Sequence, residues 1–310
     1  METIRDMIII GGGPGGYAAA LYAVRAGLST LILEKASPGG QMTQTHQIDN
    51  YPGFAQGIEG FDLSMQMKEG AERFGAVTEM TEVLSVDLTG PIKTVVTDSG
   101  EYRARTVVIS TGAGPRPLGV PGEDKWYARG VHYCAACDGM FYRNKTVVVV
   151  GGGNTAAADA LLLSRIAQKV ILVHRRDTLR ATKIYHEPLL RAENVEFHWN
   201  STVTALDGEE KLTGVRLRNV QTGAESTLPC DGVFVSIGRN PASDLFRGQV
   251  ELDEGGYILA DESTKTNLPG VFAAGDIRTK ALRQIITAAA DGAMAAFAAE
   301  EYLAEQHGTE

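Results

Sequence analysis

The chain opens on an apolar run at residues 6–10 that closes on glycines, then shows a helical spacing of Ala, Leu and Tyr to about residue 26 and a second apolar run at 31–33. A short unbroken apolar run fits a strand covered on both faces, and recurrence at helical spacing fits a helix, so the order reads strand, turn, helix, strand. The same order recurs over residues 145–150, 151–166 and 169–173. The glycine turns at Gly11 and Gly151 stand 140 residues apart, too far for a solenoid repeat, and predict two domains of similar build, each with its own nucleotide site.

Between these units lie a helical pattern at 60–74 and strand-like stretches at 81–88, 92–97 and 106–110. Residues 112–122 are dense in Gly and Pro, and a matching signal, Gly238-Arg-Asn-Pro241, follows an apolar run at 232–237. Such clusters mark chain crossings. Two crossings that bracket one segment predict a second domain inserted into the first, with the chain returning to the first from about residue 257 onward.

Composition narrows the class. The 310 residues are 44% hydrophobic and 22% charged, which suits a two-domain globular protein and leaves no case for a disordered, collagenous or disulfide-scaffold chain. A formal net charge of -9 argues against holding nucleic acid or an anionic membrane by charge. Residues 7–24 carry no charge, but glycines and Pro14 interrupt them, so neither a spanning helix nor a signal peptide fits; the Ala-rich run 285–299, broken by Asp291, reads as a buried helix. Three cysteines, Cys134, Cys137 and Cys230, are too few for a stapled secreted domain and favour a reducing compartment, the cytoplasm.

Against that background four constellations carry chemistry. Gly11-x-Gly13-x-x-Gly16 follows a strand and opens a helix, with Glu34 ending the next strand, the context in which glycines admit a pyrophosphate to a helix N-terminus and an acid accepts a ribose hydroxyl. Gly151-x-Gly153-x-x-Ala156 repeats the turn, but His174 stands where the acid would be, followed by Arg175, Arg176 and Arg180. Guanidinium forks there suit a 2'-phosphate, hence NADP rather than NAD, although a solvated basic strand end is the plain alternative. Cys134-Ala-Ala-Cys137 with Asp138 fits a reversible disulfide at a helix start; the other reading is half a zinc site, which would need Cys230 plus His132 or another distant histidine. Asp138 is either a general acid/base beside the thiols or a helix N-terminal charge, and Cys230 reads as a small core residue. Finally, Gly275-Asp276 ends a strand and Arg283-Gln284-Ile285 opens the last helix, an arrangement suited to a flavin and its hydroxylated chain.

Taken together, Gly11-Gly-Gly-Pro-Gly-Gly16, Gly39-Gly-Gln-Met-Thr43, Asn50-Tyr-Pro-Gly53, Cys134-Ala-Ala-Cys-Asp-Gly139, Gly151-Gly-Gly-Asn-Thr-Ala156, His174-Arg-Arg-Asp177, Gly275-Asp276 and Arg283-Gln284 resemble the low-molecular-weight, bacterial-type thioredoxin reductases, almost end to end. The resemblance implies an α/β fold of two Rossmann-like, three-layer ββα domains, the second inserted in the first: an FAD domain of residues 1–115 and 244–310 and an NADPH domain of residues 116–243 carrying the dithiol. It implies FAD contacts from Gly11, Gly13, Pro14, Gly16, Glu34, Gly40, Gln41, Asn50, Thr111, Gly112, Gly275, Asp276, Arg283, Gln284 and Ile285. NADPH contacts would come from Gly151, Gly153, Asn154, Thr155, His174, Arg175, Arg176 and Arg180. It further implies a homodimer, thioredoxin as protein substrate, and electrons passing from NADPH through FAD to Cys134–Cys137. Cys137 would lie nearest the flavin, Cys134 would attack thioredoxin, Asp138 would handle protons, and domain rotation at the crossings would let the dithiol and the nucleotide take turns at the flavin. The chain departs from the family pattern at Ala158 and Asp159, where paired acids are usual, and at Ala290 and Asp291, where Gly and Thr are usual. A glutaredoxin-like or peroxiredoxin-linked partner, another electron donor, an oxygen-dependent thiol oxidase and a zinc-stabilised redox sensor remain the alternatives.

Overall fold

The computed structural model describes residues 4–45 and 47–307, and the chain divides into two compact units, Met1–Gly114 with Asn240–Glu310, and Pro115–Arg239. The return crossing falls at 239/240, a few residues before the expected 243/244, where Arg239–Pro241 pairs with Ala113–Pro115 in a two-stranded ribbon.

In the first unit the strands Ile4–Ile10, Thr30–Glu34 and Val77–Met80 lie parallel, and Glu101–Ile109 runs parallel to Ile4–Ile10 on its other side. The outer edge of Glu101–Ile109 is shared. Its first half pairs antiparallel with Lys93–Thr97, which in turn pairs with Val83–Asp87, whereas Val107, Val108 and Ile109 pair parallel with Val271–Ala273. Alternation along the strands turns Met7, Ile9, Ile32 and Val108 toward the Ala-lined helices Pro14–Arg25 and Ile285–His307; Ile8, Ile10, Leu31, Leu33, Val107 and Ile109 face Leu88, Val95, Phe246 and Ile258. A strand covered on both sides has no polar face, which is why its sequence reads as one continuous apolar run. The two helices approach so closely that a Cβ on Gly292 would stand 2.1 Å from the Gly15 carbonyl oxygen, and the run read as a buried helix packs there through Ala295 and Ala299.

The second unit repeats the build. Val195–His198, Lys169–Val173, Thr146–Val150, Gly232–Val235 and Val131–His132 form a parallel sheet in that order. Val147, Val149, Val170, Leu172 and Phe234 pack on the helix Asn154–Ser164 through Ala156, Ala157, Ala160 and Leu163. The opposite face, Val148, Val150, Ile171, Val173, Val233 and Val235, is covered by Leu212, Val215 and Leu217 of an antiparallel three-stranded sheet, Ser201–Gly208, Leu212–Asn219 and Glu225–Pro229. Among the described residues no helix is long and apolar enough to cross a membrane.

Candidate functional site

Each sheet delivers a glycine turn at the C-terminal end of one of its parallel strands, Ile4–Ile10 in the first unit and Thr146–Val150 in the second. Gly11 has φ +102°, and a Cβ there would stand 2.5 Å from the Ser110 carbonyl oxygen; a Cβ on Gly16 would meet the Gly11 carbonyl oxygen at 2.0 Å. Close packing therefore excludes any side chain at these two positions. Gly13 is different, because a Cβ on it would meet nothing within 4 Å. It caps the helix that Pro14 begins, and the unpaired N–H groups of a helix start are donors suited to a phosphate. Glu34 is anchored beside this opening: one carboxylate oxygen accepts the Gly12 N–H at 2.7 Å and the other the Ala36 N–H at 2.9 Å. Each oxygen keeps a lone pair for a ribose hydroxyl.

The rest of the first-unit set converges around this turn and the returning chain. Gly39 N–H donates to the Gly12 carbonyl at 2.6 Å and brings Gly40 against Gly13; Gln41 donates to the Ala113 carbonyl, Thr111 Oγ1 to the Ala242 carbonyl at 2.8 Å, and Asn50 Nδ2 to Gln284 Oε1 at 3.0 Å. Gly112, at φ +72°, leaves open space where a Cβ would be. Arg283 lies 4.0 Å over the Tyr257 ring and donates to the carbonyls of Arg278, Lys280 and Asp276, so it shapes the loop that carries Asp276 while Ile285 starts the last helix.

The loop has an anchor that the sequence pattern did not reveal. Asp291 accepts the Gly275 N–H at 2.8 Å, Nε and Nη2 of the buried Arg278 at 2.9 and 2.7 Å, and Lys280 Nζ at 2.7 Å. Burial pushes its carboxyl up, but the Arg278 and Lys280 hydrogen bonds outweigh burial and hold it below the usual carboxylate range. The departure from the family pattern at this position is thus a clamp on the turn before Asp276. A folded-state value below the unfolded one adds stability above the unfolded value, and that stability is lost as pH falls through the folded one. Asp291→Asn should cost about 2 kcal/mol at neutral pH in urea denaturation, with the deficit shrinking in acid, where the native carboxylate protonates.

In the second unit Gly151, at φ +150°, would bring a Cβ within 2.3 Å of the Ser236 carbonyl oxygen, and Gly153, capping Asn154–Ser164, faces open space as Gly13 does. Asn154 Oδ1 accepts the Thr182 N–H, and the Arg180 N–H donates to the Gly152 carbonyl, tying the loop that carries the arginine to the turn; Thr155 is exposed in the first helical turn. His174 is 5% exposed and packs so tightly under Gly152 that a Cβ on that glycine would stand 2.3 Å from the ring. Its Nε2 is buried with no hydrogen-bond partner. Burial, then Arg180, Arg175 and Arg176, holds the imidazole below its ordinary range. The three guanidinium groups are exposed and none is paired with a carboxylate among the described residues. A helix start, exposed cations without carboxylate partners and a buried ring nitrogen without a hydrogen bond are groups whose chemistry suits an anion.

Cys134 and Cys137 form a disulfide, Cα atoms 5.3 Å apart, at the start of the short helix Ala135–Asp138, and the N–H groups of Cys137 and Asp138 both donate to the Cys134 carbonyl. Asp138 Oδ2 lies 3.1 Å from His132 Nδ1, a contact absent from the pattern of the sequence. Three and four residues after Cys137 in the chain, Met140 and Phe141 expose apolar side chains. Cys230 is buried in the sheet core, its thiol pushed up to about 12 by burial and then by Asp231, so it holds its proton and serves as core. Among the described residues no group of His, Cys, Asp and Glu is arranged to hold a metal ion.

Residues 5–292 match the family model described as pyridine nucleotide-disulphide oxidoreductase. The chain is 49% identical over 306 residues to a thioredoxin reductase of Mycolicibacterium smegmatis, covering 98% of each chain. It is 48% identical over 310 residues to a bifunctional thioredoxin reductase/thioredoxin of Mycobacterium leprae, covering 99% of this chain and 68% of that one. Among solved structures, a thioredoxin reductase from Streptococcus pyogenes superposes with a TM-score of 0.90 at 42% identity, over 98% of this chain and all of that one.

Proposed function

The chain belongs to the pyridine nucleotide-disulphide oxidoreductase family, and from that premise we propose that it is an NADPH-dependent, FAD-containing thioredoxin-disulfide reductase. One observation carries the reading: the Cys134–Cys137 disulfide with Asp138 behind it lies in the same compact unit as the turn flanked by Arg175, Arg176 and Arg180. The open helix start at Gly13, the anchored Glu34 and the clamped turn at Gly275 support FAD in the first unit. Gly11, Pro14, Gly16, Gly40, Gln41, Asn50, Thr111, Gly112, Asp276, Arg283, Gln284 and Ile285 complete its lining. Gly151, Gly153, Asn154, Thr155 and His174 with the three arginines support NADPH in the second. When bound, the flavin supplies hydride acceptance from the reduced nicotinamide and electron-pair delivery to a disulfide.

The chain's own residues then perform an exchange between sulfurs. The Cys134 thiol gives its proton to Asp138 and attacks one sulfur of the thioredoxin disulfide; a mixed disulfide forms and the departing thiolate takes the proton back from Asp138. Cys137 repeats the transfer, attacking Cys134 sulfur, releasing the second thioredoxin thiol and restoring Cys134–Cys137. Two electrons and two protons leave with thioredoxin, so the step balances. The exposed Met140 and Phe141, shortly after Cys137 in the chain, offer a protein substrate apolar area to land on. Tyr22, Met294 and Phe297, exposed on the two packed helices of the first unit, support a homodimer, and the low cysteine count supports a cytoplasmic location.

The test is an anaerobic visible-absorption titration of the purified protein with NADPH and, separately, NADH, followed by addition of thioredoxin disulfide. A yellow protein whose flavin band bleaches at low NADPH and returns on adding thioredoxin is the expected result. A colourless protein, bleaching by NADH alone, or a reduced protein that thioredoxin fails to reoxidise would overturn the reading.

A further inference from the structure

His132 ends a two-residue strand at the sheet edge and is 7% exposed. Its ring is fixed from three sides. Phe234 stacks on it with centroids 5.4 Å apart, Tyr142 meets it edge-on at 5.2 Å, and both ring nitrogens are engaged, Nδ1 with Asp138 Oδ2 at 3.1 Å and Nε2 with the Tyr142 hydroxyl at 2.7 Å. A carboxylate only accepts, so the contact makes Nδ1 the donor toward Asp138, which leaves Nε2 to the Tyr142 O–H. Tyr142 is suited to that donation. Burial, then the negative charge of Asp138, raises its phenol well above the usual range, so it keeps its proton at any working pH. The result is a closed series, Tyr142 to His132 to Asp138, ending beside the Cys134–Cys137 pair.

We infer that His132 is a positioning residue for the proton steps at the dithiol: from a ring held by Phe234 and Tyr142, its Nδ1 keeps the Asp138 carboxylate in the orientation from which it takes a proton from a thiol and returns it to a leaving thiolate. This rests on the proposed disulfide-reductase function. Proton balance is unchanged by it, since Asp138 still takes one proton and gives one back in each exchange, while the imidazole keeps its own. Other groups face the series from every packed element. Tyr127 feels the Asp138 charge with Arg239 opposite, Cys230 and Asp231 face Tyr142, and Lys145 Nζ lies 5.3 Å from the Tyr142 ring centroid. Among the described residues none of them takes the place of the Nδ1 donor at Asp138.

The experiment follows kcat and KM for thioredoxin in the flavin-loaded enzyme and its variants. His132→Ala should lower kcat about tenfold and leave KM within about twofold, because a carboxylate without its Nδ1 contact is less often held in the orientation that proton transfer needs. His132→Asn, whose amide nitrogen reaches the place of Nδ1, should recover most of kcat, whereas His132→Gln, which reaches the place of Nε2, should not. In an Asp138→Asn background, His132→Ala should add little. A wild-type kcat in His132→Ala, equal behaviour of the Asn and Gln variants, or multiplicative losses in the double variant would overturn the inference. If His132→Ala does not fold, the Asn and Gln pair decides alone. Wild-type turnover tests the proposed function separately, so failure of one is not mistaken for failure of the other.

Discussion

Cys134→Ser should retain bleaching of the flavin band by NADPH and lose thioredoxin reduction by roughly a thousandfold or more. The loss is that large because the attacking atom itself is gone: a serine hydroxyl neither ionises near neutral pH nor forms a disulfide, and residues that act as one unit give nearly the full loss when any member is removed. Cys137→Ser makes the complementary case. With Cys134 intact and nothing to resolve the mixed disulfide, the protein should accumulate as a covalent adduct with thioredoxin, visible on a non-reducing gel and released by dithiothreitol. Near wild-type turnover by Cys134→Ser would remove its assigned role, and a stable adduct in Cys134→Ser but not Cys137→Ser would exchange the two roles. Neither variant should change stability much in the reduced form, since both positions are only half-buried and Cys230, deep in the sheet core, is untouched.

The parts of this machinery differ in how far the sequence alone exposes them. The parallel strands at Ile4–Ile10 and Thr146–Val150 are legible because a strand buried on both faces has only apolar residues to offer, and their turns are legible because packing at Gly11 and Gly151 tolerates only glycine. Ser201–Gly208 and Glu225–Pro229 are not: most of their residues are partly or fully exposed, so no alternation survives. The strand Val131–His132 is shorter than any period. Among site residues, Asp291 read as an interruption of an Ala-rich helix because its partners, Arg278 and Lys280, sit on a loop whose geometry no spacing rule encodes. His132 read as a candidate zinc ligand for the same reason. It stands on a strand and Asp138 on a helix, and only the turn through Cys134 brings them within hydrogen-bond distance. Chemistry held by residues within one turn was legible, whereas chemistry assembled across elements was not.

Replacing Arg175 and Arg176 together by Ala should raise the KM for NADPH about a hundredfold while changing that for NADH less than about threefold. The 2'-phosphate carries nearly two negative charges, and each guanidinium would give it a charge-assisted, forked contact that NADH has no group to receive. Both side chains are exposed, so solvent and salt screen them, and two contacts are therefore credited with about two powers of ten rather than the larger loss that buried pairs would give. Arg180 is left in place because its N–H ties the loop to Gly152, and altering it would mix binding with loop geometry. The gap between NADPH and NADH should narrow as ionic strength rises, as it must if charge carries it. It should change little as pH rises through neutrality, because His174, held below its ordinary range by burial and by the neighbouring arginines, is already neutral there and adds no charge for the phosphate to lose. Steady-state kinetics with both nucleotides at low and high salt check all of this. Equal increases for NADPH and NADH would mean that the arginines hold the loop rather than the phosphate.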